Sequence, residues 1–330
     1  MIAFVLRRLA QSVAVMLTVA LFAFLLFRFV GDPVNNMVGQ DTSLQDREKL
    51  RQALGLEDPV PVQFLHFVGR ALRGDFGISY QYARPVGAII AERLPATLEL
   101  SFTAAFLALA LGLPLGVYTG LHRDGRAARL LLALSLVGVS LPVFLTGILL
   151  ILLFSVALGW LPSFGRGDVV QLGGWATGFL TLSGIKSLIL PAITLALLQA
   201  TFIMRLVRAE MLEVLRTDYI KFARARGLPD RIVNLGHALK NTLVPVITIT
   251  GLQLGGIIAF AVVTESVFQW PGMGFLLVQA INFADIPVMA AYLVLVSFFF
   301  VLINLIVDIL YYVVDPRLRI DRSAAGAHGF

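Results

Sequence analysis

Six uncharged apolar runs, each about long enough to cross a bilayer, decide what this chain can fold into. They cover residues 9–27, 100–121, 130–160, 187–204, 242–264 and 286–307. A spanning helix needs about 20 mostly apolar residues, and in lipid it must satisfy its backbone hydrogen bonds internally. The composition agrees: 58% of the 330 residues are hydrophobic and only 14% charged, with a mean hydropathy of +0.87. A soluble domain carries roughly 25% charged residues, so the bilayer is the main solvent. The fold class expected is an all-α integral membrane protein with about six transmembrane helices.

Two further apolar stretches read differently. Residues 266–284 contain Trp270-Pro271-Gly272-Met273-Gly274; proline and paired glycines break a helix early, which predicts a re-entrant or surface-lying loop. Residues 169–185 carry Gly173, Gly174, Gly178 and Gly184 and read as loop. The start, two arginines and then an apolar run, resembles a signal peptide. The run is too long for one and no small-residue cleavage pattern follows it, so it reads as a retained anchor.

Charge sets the orientation. The net charge of +6 does not point to nucleic acid, because the basic residues sit beside apolar runs, as membrane orientation requires. With the N-terminus inside, the inner segments hold Arg7 and Arg8; Arg123, Arg126 and Arg129; Arg205, Arg208, Arg216, Lys221, Arg224, Arg226, Arg231 and Lys240; and Arg317, Arg319 and Arg322. The two short outer loops hold only Arg166 and Lys186. Both termini are thus expected in the cytoplasm. The chain divides into a cytoplasmic end and first span (1–30), an extracytoplasmic insert (31–95), a permease-like core (96–313) and a tail (314–330). The insert reads as a surface helix over 44–54 and a second amphipathic stretch over 62–72.

Several chemistries are excluded. No Gly-Lys dipeptide occurs, so a Walker A phosphate loop is impossible. There is no HExxH, no GxSxG and no cysteine, which removes thiolate metal sites and disulfides. Energy for pumping must come from a partner subunit or an ion gradient. A gradient-driven secondary transporter would need inverted repeats with interrupted helices and midplane acids, and no such repeat is visible.

The most informative inner segment runs from Glu210 to Pro229. Helical periodicity puts Tyr219, Phe222 and Ala223 on one face, with Lys221 and Arg224 beside them, and Gly227 followed by Pro229 supplies a helix stop. On charge alone this is a basic loop that fixes topology. The residue pattern says more: Asp218-Tyr219-Ile220, then Ala223-Arg224-Ala225-Arg226-Gly227-Leu228, resembles the ATPase-docking motif of the inner-membrane permeases of binding-protein-dependent ABC importers, in the dipeptide/oligopeptide/nickel branch. Gly31-Asp32-Pro33, Gly74-Asp75-Phe76-Gly77, Arg93-Leu94-Pro95-Ala96-Thr97, Leu158-Gly159-Trp160-Leu161-Pro162, Glu265 to Gly274 and Asp315-Pro316-Arg317 extend the resemblance along nearly the whole chain. It departs from the family in the motif, where Glu-Ala-Ala is replaced by Lys221-Phe222-Ala223 and the closing proline comes later, at Pro245. It also departs at Ala284-Asp285-Ile286-Pro287, which lacks the usual basic residue and tyrosine.

The resemblance implies a type I ABC importer permease, multi-pass in a bacterial inner membrane. Its coupling helix, at about 210–230, would offer Asp218, Tyr219, Phe222, Ala223, Arg224, Arg226, Gly227 and Leu228 to the ATPase. The implied partners are a homologous second permease, two ATP-binding cassette subunits that carry ATP and Mg, and an extracytoplasmic solute-binding protein. This chain itself would bind no cofactor or metal. The implied cargo is peptide, with nickel chelates or glutathione as alternatives in the same class. Gln199, Gln253 and Glu265 are candidates for a translocation path or gate. Cross-helix bonding is the favoured use of the two glutamines, and capping of the next loop fits Glu265 equally. Trp270, Pro271, Gly272 and Asp285 are candidates to face the binding protein, and Trp160 and Trp270 to anchor at the interface. Asp308 can snorkel at the inner end of the last span. The stripes Gly112, Gly116, Gly120 and Gly251, Gly255 offer flat faces for close helix packing.

Overall fold

The computed structural model describes residues 2–29, 45 and 58–314; most of the expected surface helix over 44–54 lies outside them. In chain order the helices are α1 (Ile2–Phe29), α2 (Val60–Ala71), α3 (Val86–Leu121), α4 (Arg126–Ser140), α5 (Val143–Leu150) and a π-helical turn at Ile151–Ala157. A small hairpin, β1 (Val170–Leu172) and β2 (Trp175–Thr177), precedes α6 (Leu182–Val214) and α7 (Asp218–Ala225). A second π-helical segment (Ile232–Ala238) leads into α8 (Leu239–Val267), α9 (Met273–Asn282) and α10 (Ile286–Val314).

By length and composition, α1, α3, α6 and α10 can each cross a membrane, which makes four spans among the described residues, or up to six where each of two bent helix pairs counts as one span. The expected single span over 130–160 is instead α4 and α5 with its π turn, bent by 109°. Pro142 causes the break: it caps α5 with φ −58° and has no N–H to donate to α4. A gentler bend of 44° separates 232–243 from 245–257, at Pro245. The helix of the second span begins at Val86 rather than near Leu100, so the end of the expected outer insert is helical. At 36 residues it is about 54 Å long, well beyond a hydrocarbon core of about 30 Å.

Small residues bring the central helices together. A side chain on Gly112, Gly116 or Gly120 would lie 2.8, 2.6 and 2.9 Å from the Cβ atoms of Ile203, Val207 and Met211. The constant offset between partners means that α3 and α6 run parallel. Gln199 meets Gln253 and Met211 meets Thr242, so α8 runs against α6. Gly255 lies over Phe300, and Gly251 over Val307, so α10 runs against α8. Arg8 pairs with Asp308 at 3.0 Å while Phe24 shares a cluster with Ala290, so α1 runs against α10.

These directions sort the loops. The start of α1, the ends of α3, α6 and α10, and α7 gather at one end of the bundle. The hairpin, α2 and α9 gather at the other. The largest core cluster joins α3, α6, α7 and α8 and is rich in alanine: Ala96, Ala104, Ala108, Ala192, Ala196 and Ala200 are buried there. Large side chains such as Phe22, Phe102, Phe106 and Val156 point outward, as a lipid-facing surface demands. The loop expected over 266–284 contains α9, a helix of ten residues. The loop expected over 169–185 contains the hairpin and the first turn of α6. Glycine at 173 (φ +60°) turns that hairpin.

Candidate functional site

At the end that carries α7, the chain leaves α6 through a turn at 215–217 and enters α7 at Thr217, in extended conformation at φ −69° and ψ 153°. Asp218 occupies the first helical turn, where a negative charge opposes the helix dipole favourably. Lys221 donates to it at 2.8 Å, and this bond holds the Asp218 carboxyl below its ordinary range. The helix stops at Gly227, whose φ of +77° suits glycine. Leu228 N donates to Ala223 O, and Gly227 N to Arg224 O at 2.9 Å; together they satisfy the last carbonyls in a Schellman arrangement.

The helix faces differ from the expectation drawn from periodicity. Ile220 is fully buried and Ala223 is 7% exposed, both within the core shared with Val233 and Ala238. Tyr219 and Phe222, at 42% and 64%, face out with Leu228. Ala223 thus belongs to this chain's own interior and is removed from the outward contact set. The outward face carries Tyr219, Phe222, Arg224, Arg226 and Leu228, and the Arg226 guanidinium lies 5.7 Å from the centre of the Phe222 ring. Asn241, at the start of α8, donates to the Tyr219 hydroxyl at 2.6 Å. Thus α7 presents an aromatic and basic surface while its other face is locked into the bundle.

At the opposite end, three buried acids each hold a loop. Glu265 is fully buried: it accepts from Thr97 Oγ1 at 2.6 Å and from Phe275 N at 3.0 Å. It therefore caps the start of α9, and Gly272 leaves no room for a Cβ beside its carboxylate. Thr97 Oγ1 in turn accepts from Met273 N at 2.7 Å. Asp285, also fully buried, accepts from Ser79 Oγ and from the N–H groups of Tyr80 and Gln81 at 3.2 Å. Glu99 and Arg166 form a buried pair at 2.6 Å. Arg166 also donates to Ala176 O at 2.6 Å, and Trp175 Nε1 donates to Glu99 at 3.2 Å.

This geometry revises several candidates. Trp270 is 1% exposed, donates to Ala96 O at 3.0 Å and stacks near Arg166. It is a core residue, neither an interface anchor nor a contact for a partner. Gly272 and Asp285 are buried too, and Pro271 half-buried, so this loop braces the chain's own fold. Trp160, 63% exposed, does face out. Glu265 is a helix cap. Gln199 is buried and donates to Gln253 O at 3.4 Å, the cross-helix use. Asp308 pairs with Arg8 rather than snorkelling alone. Glu99, Arg166, Thr97, Ser79 and Asn241 were given no site role from sequence. One local signal was Glu99 itself, an acid at the very start of an uncharged run.

Residues 112–320 match the family described as the binding-protein-dependent transport system inner membrane component, and residues 1–101 match its N-terminal companion family. The chain belongs to this family. The di/tripeptide transport system permease protein DppB of Pseudomonas aeruginosa is 40% identical over 98% of this chain and 100% of its own length. The glutathione transport system permease protein GsiC of Salmonella typhimurium is 38% identical over 97% of this chain and 99% of its own. Among solved structures, an inward-facing MetNI methionine ABC transporter contains a chain that superposes with a TM-score of 0.55. That chain is 21% identical, and the match covers 69% of the present chain and 96% of its own. The likeness shows that the bundle has the fold of an ABC importer permease. In this binding-protein-dependent permease, α7 occupies the stretch whose residues resemble the docking motif.

Proposed function

We propose that this permease forms the membrane pathway of an ATP-driven importer that moves small peptides inward from an extracytoplasmic binding protein. The observation that carries it is α7: a helix of eight residues pinned on one face and bearing Tyr219, Phe222 and Arg226 on the other. Such an outward aromatic and basic face, on a protein without a phosphate-binding loop of its own, suits a groove in a separate ATPase that carries ATP and Mg. The relatives at about 40% identity support peptide as cargo; the glutathione permease keeps a small modified peptide as the alternative. A second permease of the same family and two ATPase subunits complete the complex, with both termini and α7 in the cytoplasm. ATP binding would close the ATPases and tilt α7, opening the pathway alternately to each side. The chain itself binds no nucleotide.

Isolation of the tagged chain from its native membranes, with identification of what accompanies it, tests this reading. A P-loop ATPase and a second permease should co-purify, and phosphate release should require the ATPase. Phe222→Asp should remove the ATPase and leave the second permease in place. Phosphate release by the chain alone, or an ATPase retained by Phe222→Asp, would overturn it.

A further inference from the structure

The bond between Tyr219 and Asn241 joins two elements that the chain separates by 22 residues. Tyr219 is on α7 and Asn241 on the first turn of α8. Beneath them Ile220 and Ala223 share a core cluster with Val233 and Ala238, both within the π-helical lead into α8. By contrast, the connection of α7 back to α6 runs through the turn at 215–217, where Thr217 Oγ1 donates to Val214 O within the same turn. Asn241 also donates to His237 O at 3.2 Å, so its amide is aimed by its own helix before it reaches the tyrosine. The bend of 44° in the α8 pair lies just beyond this pin.

We infer that Tyr219 is a positioning residue: its hydroxyl, held by Asn241, makes α7 and the start of α8 one lever, so displacement of α7 passes into α8 rather than α6. The inference rests on the docking reading above and adds the route. A helix held on one side by packing alone can roll about its axis; a bond at its edge, with donor and acceptor fixed by separate elements, stops that roll. Asn241 serves because it donates to both partners, and Tyr219 because its reach spans the gap that a shorter side chain would leave open.

Two measurements separate the pin from the docking. In the permease without ATPase, amide exchange across 219–225 should quicken in Tyr219→Phe and in Asn241→Ala by the same factor, with no further gain in the double variant. Exchange unchanged in the single variants, or additive in the double, overturns the pin. The second measurement uses the assembled complex. Because the chain has no cysteine, spin labels can be placed at 221 with 249 on α8, or at 221 with 202 on α6. Between nucleotide-free and vanadate-trapped complexes, the 221–249 distance should hold and the 221–202 distance should shift. In Asn241→Ala the 221–249 distance should shift too, with the ATPase still bound. A wild-type 221–249 distance that moves as far as 221–202, or a fixed 221–202 distance, overturns the lever. A wild-type chain that recruits no ATPase sinks the docking reading itself, whatever the exchange rates show.

Discussion

At the scale of the residue, position on a helix face decides what a substitution breaks. Ala223→Asp puts an unpaired carboxylate into the cluster with Ile220, Val233 and Ala238, where burying an uncompensated charge costs several kcal/mol. It should lower the amount of folded chain in the membrane, whereas Phe222→Ala should leave that amount unchanged and lose only the ATPase. Quantitative blotting of membranes beside co-purification distinguishes the two. Gly227→Val meets nothing within 4 Å inside this chain, so its intrinsic cost is the left-handed backbone alone, about 1–2 kcal/mol. Transport should fall by more than that loss explains, because α7 would end in a different direction. The Glu99–Arg166 pair is different again. Removing one partner strands the other charge, which costs about 3–5 kcal/mol, while replacing both with apolar residues is often near neutral. Arg166→Met should therefore unfold well below the wild type in detergent, and Glu99→Leu with Arg166→Met should recover much of the difference. Trp175 and Trp270 flank the pair and report its unfolding by their fluorescence.

At the scale of the element, glycines in helices carry opposite meanings. In α3, Gly116 lets Val207 approach so closely that even a methyl group would lie 2.6 Å from its Cβ. Gly116→Leu should separate α3 from α6 and abolish folding, and Gly116→Ala should already reduce the yield. In α2, Gly69 has nothing within 4 Å of a Cβ, and Gly69→Ala should stabilise by about 0.5–1 kcal/mol through helix propensity and reduced unfolded-state entropy. Thermal unfolding of the purified variants should show the two signs. The glycine periodicity was readable as a flat surface, but nothing in it said that α6 rather than another helix would fill it. The run over 130–160 shows the reverse limit. Hydropathy counts apolar residues without regard to direction, so it registers one long span where Pro142 makes two helices at 109°.

At the scale of the whole molecule, the alternation of helix directions puts the start of α1 and the end of α10 on one side, together with α7. An impermeant thiol reagent applied to intact spheroplasts should label Gln171→Cys in the hairpin and leave Lys221→Cys on α7 unlabelled; the native chain has no cysteine to interfere. The reverse pattern would invert the permease. Much of the helix order was legible beforehand, since apolar length acts additively along the chain and needs no knowledge of neighbours. The helix stop at Gly227 was legible too, being a local backbone demand. What the sequence by itself determined is therefore the membrane solvent, the position of most of the apolar helices and the family. The tertiary structure decided which acids became loop anchors. Thr97 and Glu265 lie 168 residues apart and Ser79 and Asp285 lie 206 apart, and no local pattern encodes a meeting at such range. It likewise turned Ala223 inward while Tyr219 and Phe222 face out, and it buried Trp270, because the side a residue faces depends on which neighbour the fold supplies.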